Sequence, residues 1–298
     1  MKNFKFIISY DGSRYFGWER QPGKETIQGK LEAVLTRMCG APVNVTGAGR
    51  TDAGVHARAM VANAYMDTDM EPEAIRDYLN HYLPDDIGVA EVKEAADRFH
   101  ARYRAVGKLY TYTCYVGETK PVFNRKYVTV LDGKPDVEKM RKAAEFLVGE
   151  HDFRSFCANP QMKKSTVRIV DSIEIQQKKD LLYLNFHGTG FLQNMVRILT
   201  GTLLEVGFGK RSVASVKEVL EAKDYAAPPP FYNQSHIHTF SSLCLGRPWR
   251  QLLGLNRWRY MLLSFRQTIP LFRRRSFRPS LYRAECASGS RQIACGPL

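Results

Sequence analysis

Apolar side chains fall at every second position in Phe4, Phe6, Ile8 and Tyr10, the spacing of a half-buried strand, which Asp11-Gly12-Ser13 then turns. The period changes after Thr26. Ile27, Leu31, Val34, Leu35 and Met38 recur as one face of a helix, with Thr26 placed to cap its start and Gly40 to stop it. Two more alternating runs, Val43/Val45 and then Met60, Ala62, Ala64 and Met66, enclose a glycine-rich loop and predict strand, loop, strand. A second helix is expected over 72–82, opened by Pro72, with Ile75, Leu79 and Tyr82 sharing a face and Leu83-Pro84 ending it.

The second half repeats the mixture. Lys108 to Val116 alternates with Tyr110, Tyr112 and Cys114 on one side, and a helix near 137–147 closes at Gly149. Val167, Ile169, Ile173 and Ile175 begin a strand that returns through a Lys-Lys-Asp turn to Leu182, Leu184 and Phe186. A final long helix is predicted from Phe191 to about Val206, its buried stripe formed by Leu192, Met195, Val196, Leu199 and Leu203. Hairpins mixed with helices in this way give an α+β fold, sheets covered on one face by helices.

The loop inside the first half is Gly47-Ala48-Gly49-Arg50-Thr51-Asp52-Ala53-Gly54-Val55-His56. Its glycines let the backbone turn sharply and approach a ligand, and the side chains it presents are a cation, Arg50, and an anion, Asp52. Two other stretches mix basic and aromatic residues. Arg14, Tyr15, Phe16, Trp18 and Arg20 fit either base stacking and phosphate contact or ordinary core packing. Arg98, Phe99, His100, Arg102, Tyr103, Arg104 and Lys108 read as a phosphate-facing surface, a solvated strand edge being the alternative.

Composition narrows the field. The net charge of +14 over 298 residues resembles that of a nucleic-acid binder, but Phe231 to Leu298 carry eleven Arg, no Lys and a single acid, Glu285. That leaves +4 for the first 230 residues, so any RNA-binding charge there must be clustered. The six cysteines form no CxxC pair and no zinc-like spacing, and His236 and His238 lack acidic or Cys partners, so no metal is expected. Lys2 and Lys5 break the N-terminal apolar run and Asp11 ends it, which argues against a signal peptide and for a reducing cytoplasm. No uninterrupted apolar run reaches about 18 residues, so no membrane span is expected. Neither a P-loop nor a Ser/His/Asp motif is recognisable.

Gly49 to Ala57, GRTDAGVHA, resembles the signature of the tRNA pseudouridine synthase A family. Further blocks of the same family follow in order: Tyr10-Asp11-Gly12-Ser13 with Gly17-Trp18, Thr26-Ile27-Gln28-Gly29, Leu83-Pro84-Asp85-Asp86-Ile87, Phe99-His100-Ala101-Arg102, Lys108-Leu109-Tyr110-Thr111-Tyr112, Gly149-Glu150-His151-Asp152-Phe153, and Gly190-Phe191-Leu192 through Arg197. The likeness runs from the start to about residue 230. It implies two related α+β halves, 1–105 and 106–230, with joined, mainly antiparallel sheets and an RNA-binding cleft between them. It also implies a homodimer, and as its substrate the anticodon stem-loop of tRNA at positions 38 to 40.

Pseudouridine formation breaks a uridine's N-glycosidic bond, turns the base and rejoins it to the ribose through carbon, an isomerisation that needs no redox cofactor and no ATP. It needs an ionised carboxylate in a pocket that retains the detached base. The resemblance assigns that role to Asp52, places Arg197 beside it, sets Tyr110 against the flipped uracil and makes Arg50 the side chain that fills the vacated stack. Whether Asp52 attacks C1′, attacks the base or removes a sugar proton stays open. A guanidinium near Asp52 opposes the protonation that desolvation favours.

After Ala227-Pro228-Pro229 the pattern breaks. Where the family continues with a strand of the type Gly-Leu-Tyr-Leu, this chain has Pro230-Phe231-Tyr232-Asn233 and then an Arg-rich tail over 231–298. The abrupt change in residue usage points to a shifted reading frame or a fusion rather than an evolved extension. A cationic amphipathic helix over 249–265 is the second reading of that tail. An alternative function follows: an RNA-binding protein that keeps the cleft but has lost turnover with its last strand.

Overall fold

A computed structural model describes residues 1–224; the Arg-rich tail, its amphipathic-helix reading and the Ala-Pro-Pro segment lie outside the described residues. The first sheet is built from β1 (Lys2–Tyr10), β2 (Val45–Gly47), β3 (Ala57–Met66) and β4 (Ile87–Ala95), antiparallel throughout in the order β2-β3-β1-β4. Phe4 stands opposite Ala64 and Phe6 opposite Ala62. Alternation along β1 turns Phe4, Phe6, Ile8 and Tyr10 to one face, where Leu31 and Leu35 of α1 (Ile27–Cys39) and Ile75 and Leu79 of α2 (Pro72–Tyr82) bury them. Both helices start where their sequences ask. The Thr26 hydroxyl accepts from the Gly29 amide, Gly40 ends α1 in the left-handed conformation, and Pro72 opens α2. Tyr82 departs from the expected face: it stays exposed, with the Arg37 guanidinium 4.8 Å from its ring.

The second sheet runs β6-β5-β9-β8-β7, formed by β5 (Lys108–Tyr115), β6 (Thr129–Val130), β7 (Gly149–Asp152), β8 (Val167–Lys178) and β9 (Leu181–Gly188). The pairs β5–β9, β8–β9 and β7–β8 are antiparallel, and only the short β5–β6 contact is parallel. Against it pack α3 (Val137–Glu145), α4 (Met195–Gly207) and α5 (Ser215–Ala222), in a core that includes Tyr112, Phe186, Leu199 and Leu203. The fold is thus α+β with mainly antiparallel sheets. Among the described residues the ladders form two separately hydrogen-bonded sheets, and the last strand that the family pattern leads one to expect falls beyond residue 224.

The helix α4 differs from its sequence expectation in two ways. It begins at Met195, not Phe191, because Asn194 adopts the left-handed conformation and the Met195 amide turns back onto the Leu192 carbonyl. It is also buried on nearly every side, its Thr200 and Thr202 hydroxyls donating to the Val196 and Ile198 carbonyls four residues back. The freed segment Phe191–Asn194 and the first turn of the helix line one cleft.

The segment after β4 is not a strand edge. Asn3 donates to the carbonyls of Ala96 and Phe99, Asn63 donates to Asn3, and the Ala101 amide donates to Asn63, so two buried asparagines tether residues 96–101 across the sheet. All described residues belong to one compact unit.

Gly17 sits at φ +93° with its α-carbon against the Thr51 carbonyl and the Asp52 backbone, leaving no room for a β-carbon. Gly17→Ala is expected to lose about 2 kcal/mol or more of stability, from the unfavourable φ and the forced shift of the Thr51–Asp52 backbone together. A urea unfolding curve that overlays the parent's would show that the two loops do not bear on each other as described.

Candidate active site

The loop between β2 and β3 is held from below. Trp18 donates its amide to the Thr51 carbonyl at 3.0 Å, Gly54 donates to the Tyr15 carbonyl at 3.2 Å, Ala48 donates to the Val61 carbonyl at 2.8 Å, and the Tyr10 and Thr51 hydroxyls bond at 2.9 Å. Ala48, Thr51, Val55 and His56 are buried as a result, while Arg50 and Asp52 project outward. Of the loop glycines, Gly47 serves close approach instead of turning: a β-carbon there would strike the Trp18 indole.

Arg50 and Asp52 project into a cleft of about 870 Å³ between the first sheet and the second. Tyr110 enters it from β5 and Arg197 from the first turn of α4, so all four residues singled out in the sequence line one cavity. The N-terminal end of α4 faces the same space, and the helix dipole favours negative charge there. The Tyr110 ring meets Phe191 edge-on, with centroids 5.0 Å apart at 75°. Phe191, expected as the first residue of the helix, is instead a wall of the site.

The electrostatics divide the cleft. Desolvation raises the pKa of Asp52, and the positive charge of Arg197 opposes that rise without cancelling it. Asp52 nevertheless remains open to the cleft, so its desolvation comes from the walls around it and is incomplete. Arg197, part-buried, is in turn destabilised as a cation by burial and supported by Asp52. Tyr110 is pushed up to about 12, first by burial and then by the Asp52 charge, and so stays a neutral phenol at pH 7. Arg50 donates to Glu19 at 2.6 Å with both side chains about half exposed, a pairing weak enough to be exchanged for another partner.

Eight cations line the cleft: Lys24, Arg50, Arg102, Lys108, Lys163, Lys164, Arg168 and Arg197. The acids there are Glu19 and Asp52. Their balance of +6 exceeds the +4 of the first 230 residues, so outside the cleft that part of the chain is net acidic.

Residues 6–104 and 143–236 match the family model described as tRNA pseudouridine synthase. The chain belongs to this family. It is similar to tRNA pseudouridine synthase A of Bacillus sp. (strain KSM-64), 44% identical over 225 residues that cover 75% of this chain and 92% of the relative. The corresponding protein of Clostridium kluyveri is 42% identical over 226 residues, covering 76% and 93%, and that of Geobacter sp. (strain M21) 46% over 224, covering 75% and 91%. Among solved structures, a chain of "Crystal Structure of a Cbf5-Nop10-Gar1 Complex" overlaps 67% of this chain and 54% of its own length at 14% identity, with a TM-score of 0.29 too low to build on.

Within this synthase framework the basic-aromatic stretches resolve residue by residue. Tyr15 and Trp18 are core, Arg14 pairs with Asp86 and Arg20 with the buried Glu32, while Phe16 stands half exposed at the cleft with Lys24 Nζ 5.0 Å from its ring. Arg102 and Lys108 face the cleft, whereas Arg98, Phe99 and Arg104 line a separate groove with Lys5 and Lys93. The sequence reading missed the wall formed by Asn159, Gln161, Lys163, Lys164 and Arg168; the Lys163-Lys164 pair just before β8 was its only signal. Among the described residues no group of three or more His, Cys, Asp or Glu could hold a metal ion, and no helix is long and apolar enough to cross a membrane.

A polar link crosses from the second half to the rear of the loop. The Tyr127 hydroxyl donates to Asp11 Oδ2 at 2.8 Å, His56 Nδ1 lies 2.8 Å from Asp11 Oδ1, and the Tyr127 and His56 rings meet edge-on at 5.3 Å. Burial would raise the Asp11 pKa, but the Ser13 hydroxyl and amide, Tyr127 and His56 overcome it and bring it down to about 2.

Two titrations follow with opposite signs. Asp52, raised in the fold, should titrate above an ordinary aspartate in a carboxylate NMR experiment, and Arg197→Met should move it higher still; a midpoint that stays put would show that Arg197 does not act on it. Its contribution to stability is present at low pH and lost as pH rises through the folded pKa. Asp11, lowered in the fold, contributes stability above its unfolded value near 3.8 that is lost as pH falls toward 2. The chain with Asp11→Asn should lack that loss in acid unfolding curves, and identical acid profiles would count against the link.

Proposed function

We propose that this chain converts uridine to pseudouridine in tRNA, acting at positions 38 to 40 of the anticodon stem-loop, as a cytoplasmic homodimer and with Asp52 as its nucleophile or base. The observation that carries the reading is the convergence of Asp52, Arg197 and Tyr110, drawn from three distant stretches of a pseudouridine synthase family chain, on one cation-lined cleft. Overall, the bond from N1 to C1′ breaks, a bond from C5 to C1′ forms, and the proton on C5 leaves while N1 gains one. No external electron donor or acceptor enters that balance.

Each residue has a part in it. Asp52 supplies the carboxylate that attacks or deprotonates the nucleoside, and Arg197 opposes the desolvation that favours its protonated form. Tyr110, backed by Phe191, gives the uracil a flat wall while it is detached and turns; a neutral phenol there donates a proton more readily than it takes one. Reaching this pocket requires the target nucleotide to leave its stack, at a cost of a few kcal/mol. Arg50, exposed at the mouth and held only by Glu19, is placed to exchange that partner for the vacated stack or a phosphate.

Tritium release from tRNA labelled at uridine C5 tests the reading directly. The full-length chain should release tritium, and Asp52→Ala should reduce release to background while still binding tRNA. A folded parent that binds tRNA and releases nothing would instead leave the cleft as a binding module.

A further inference from the structure

Three cations meet in the cleft without an acid between them. Lys108 projects from β5 and is part-buried; its ammonium hangs over Gly49, where an added β-carbon would lie 3.5 Å from Nζ. Arg102 comes from the tethered segment after β4, and Arg168 from the start of β8, with its Nη1 donating to the carbonyls of Ser165 at 2.8 Å and Val167 at 2.6 Å. Among the described residues no carboxylate pairs with any of the three, although Arg14, Arg20, Arg141 and Arg211 each have one. Burial first, and then the charges of Arg102 and Arg168, make the Lys108 ammonium harder to keep protonated. Such an arrangement disfavours itself unless an anion completes it.

The position on the strand says which anion. Lys108 and Tyr110 are two residues apart on β5, so both side chains leave the same face, about 6.5 to 7 Å from each other along the strand. That offset is comparable to the distance from a pyrimidine ring to the phosphate on its own sugar. A carboxylate and a phosphodiester each spread one negative charge over two oxygens, but the phosphodiester is tetrahedral, adds two bridging oxygens and recurs at every nucleotide, so cations arriving from three elements can meet it from different sides.

We infer that Lys108, with Arg102 and Arg168 beside it, seats a phosphodiester flanking the uridine held against Tyr110. The seat anchors the sugar-phosphate chain while the base is detached, so that C1′ stays in place as the uracil turns. This rests on the nucleotide-flipping reading above, and the test separates the two.

The experiment uses the full chain and anticodon stem-loop RNAs in which one phosphate at a time, on either side of the target uridine, is a neutral methylphosphonate. Both Kd and single-turnover pseudouridine formation are measured. Lys108→Met should weaken binding or turnover of the unmodified RNA by about 10- to 100-fold, and one methylphosphonate position should cost the parent a similar factor. At that position alone the two losses should not multiply. Lys108→Arg should recover most of the function, which excludes a folding defect, and Arg98→Met, from the other groove, should show no coupling at that position. Losses that multiply at every position, or a Lys108→Met variant that matches the parent, would overturn the seat. A parent that forms no pseudouridine refutes the proposed function instead, and the same cycle read in Kd still decides the seat.

Discussion

The carboxylate at the centre of this molecule is aimed by backbone packing. Asp52 has no side-chain hydrogen bond of its own among the described residues, and its direction comes from the loop beneath it: Thr51 accepts from Trp18, Gly54 donates to Tyr15, and Gly17 presses on both Thr51 and Asp52 because it lacks a side chain. Those contacts in turn depend on the first core. Trp18 lies under Gly47 and beside Tyr10, Tyr10 bonds Thr51, and β1 pairs Tyr10 with Ala57 of β3 just past a shift in the ladder register. A loop fixed in this way can carry an exposed carboxylate into a cleft without bonding it to a neighbour, which would lower its reactivity.

The second sheet supplies what the first cannot. Tyr110 and Lys108 arrive on one face of β5, Arg197 on α4, and Phe191 on the turn that delays the start of that helix. The left-handed Asn194 leaves Phe191 outside the helix, and its ring backs Tyr110. The Asp11–Tyr127–His56 link fixes the rear of the Asp52 loop to the half that brings these residues. The geometry of the cleft is then shared between two cores, and motion of either changes the distance from Asp52 to Tyr110 and Arg197.

Most of this was legible where local rules act alone. The Thr26 cap, the Gly40 stop, Pro72 and the two-residue period of β1, β5 and β9 are local properties, and the structure repeats them. The four residues chosen by resemblance also reach a single cleft. What stayed hidden depends on contacts distant in sequence. The basic stretch from Arg98 to Lys108 looked uniform, yet its tether to Asn3 and Asn63 sends Arg102 and Lys108 to the cleft and Arg98 and Arg104 to another groove. Arg168 and Lys163 carried no periodic signal, because a loop that lines a cavity follows its neighbours and not its own propensity. Helix α4 read as amphipathic only because the small and hydroxyl residues on its other faces, Gly201, Thr200 and Thr202, are polar by count and buried in fact.

The charge distribution explains how a chain with so modest a balance in its first 230 residues can hold a polyanion. Spread evenly, +4 would give a field too weak to matter across a Debye length of about 8 Å at physiological salt. Here the cleft concentrates +6 while the remaining surface of those residues is net acidic, so a phosphate backbone is drawn to one place and repelled elsewhere. The same concentration creates a difficulty, because eight cations around one carboxylate should by charge alone depress its pKa far below normal. It does not fall. Among the described residues Arg197 is the one cation whose charge acts on it, and it offsets only part of the desolvation that the walls impose. Two kinds of charge therefore share one cavity: an array of cations that a polyanion would meet, and the Asp52–Arg197 pair, whose mutual influence sets the direction of the Asp52 shift.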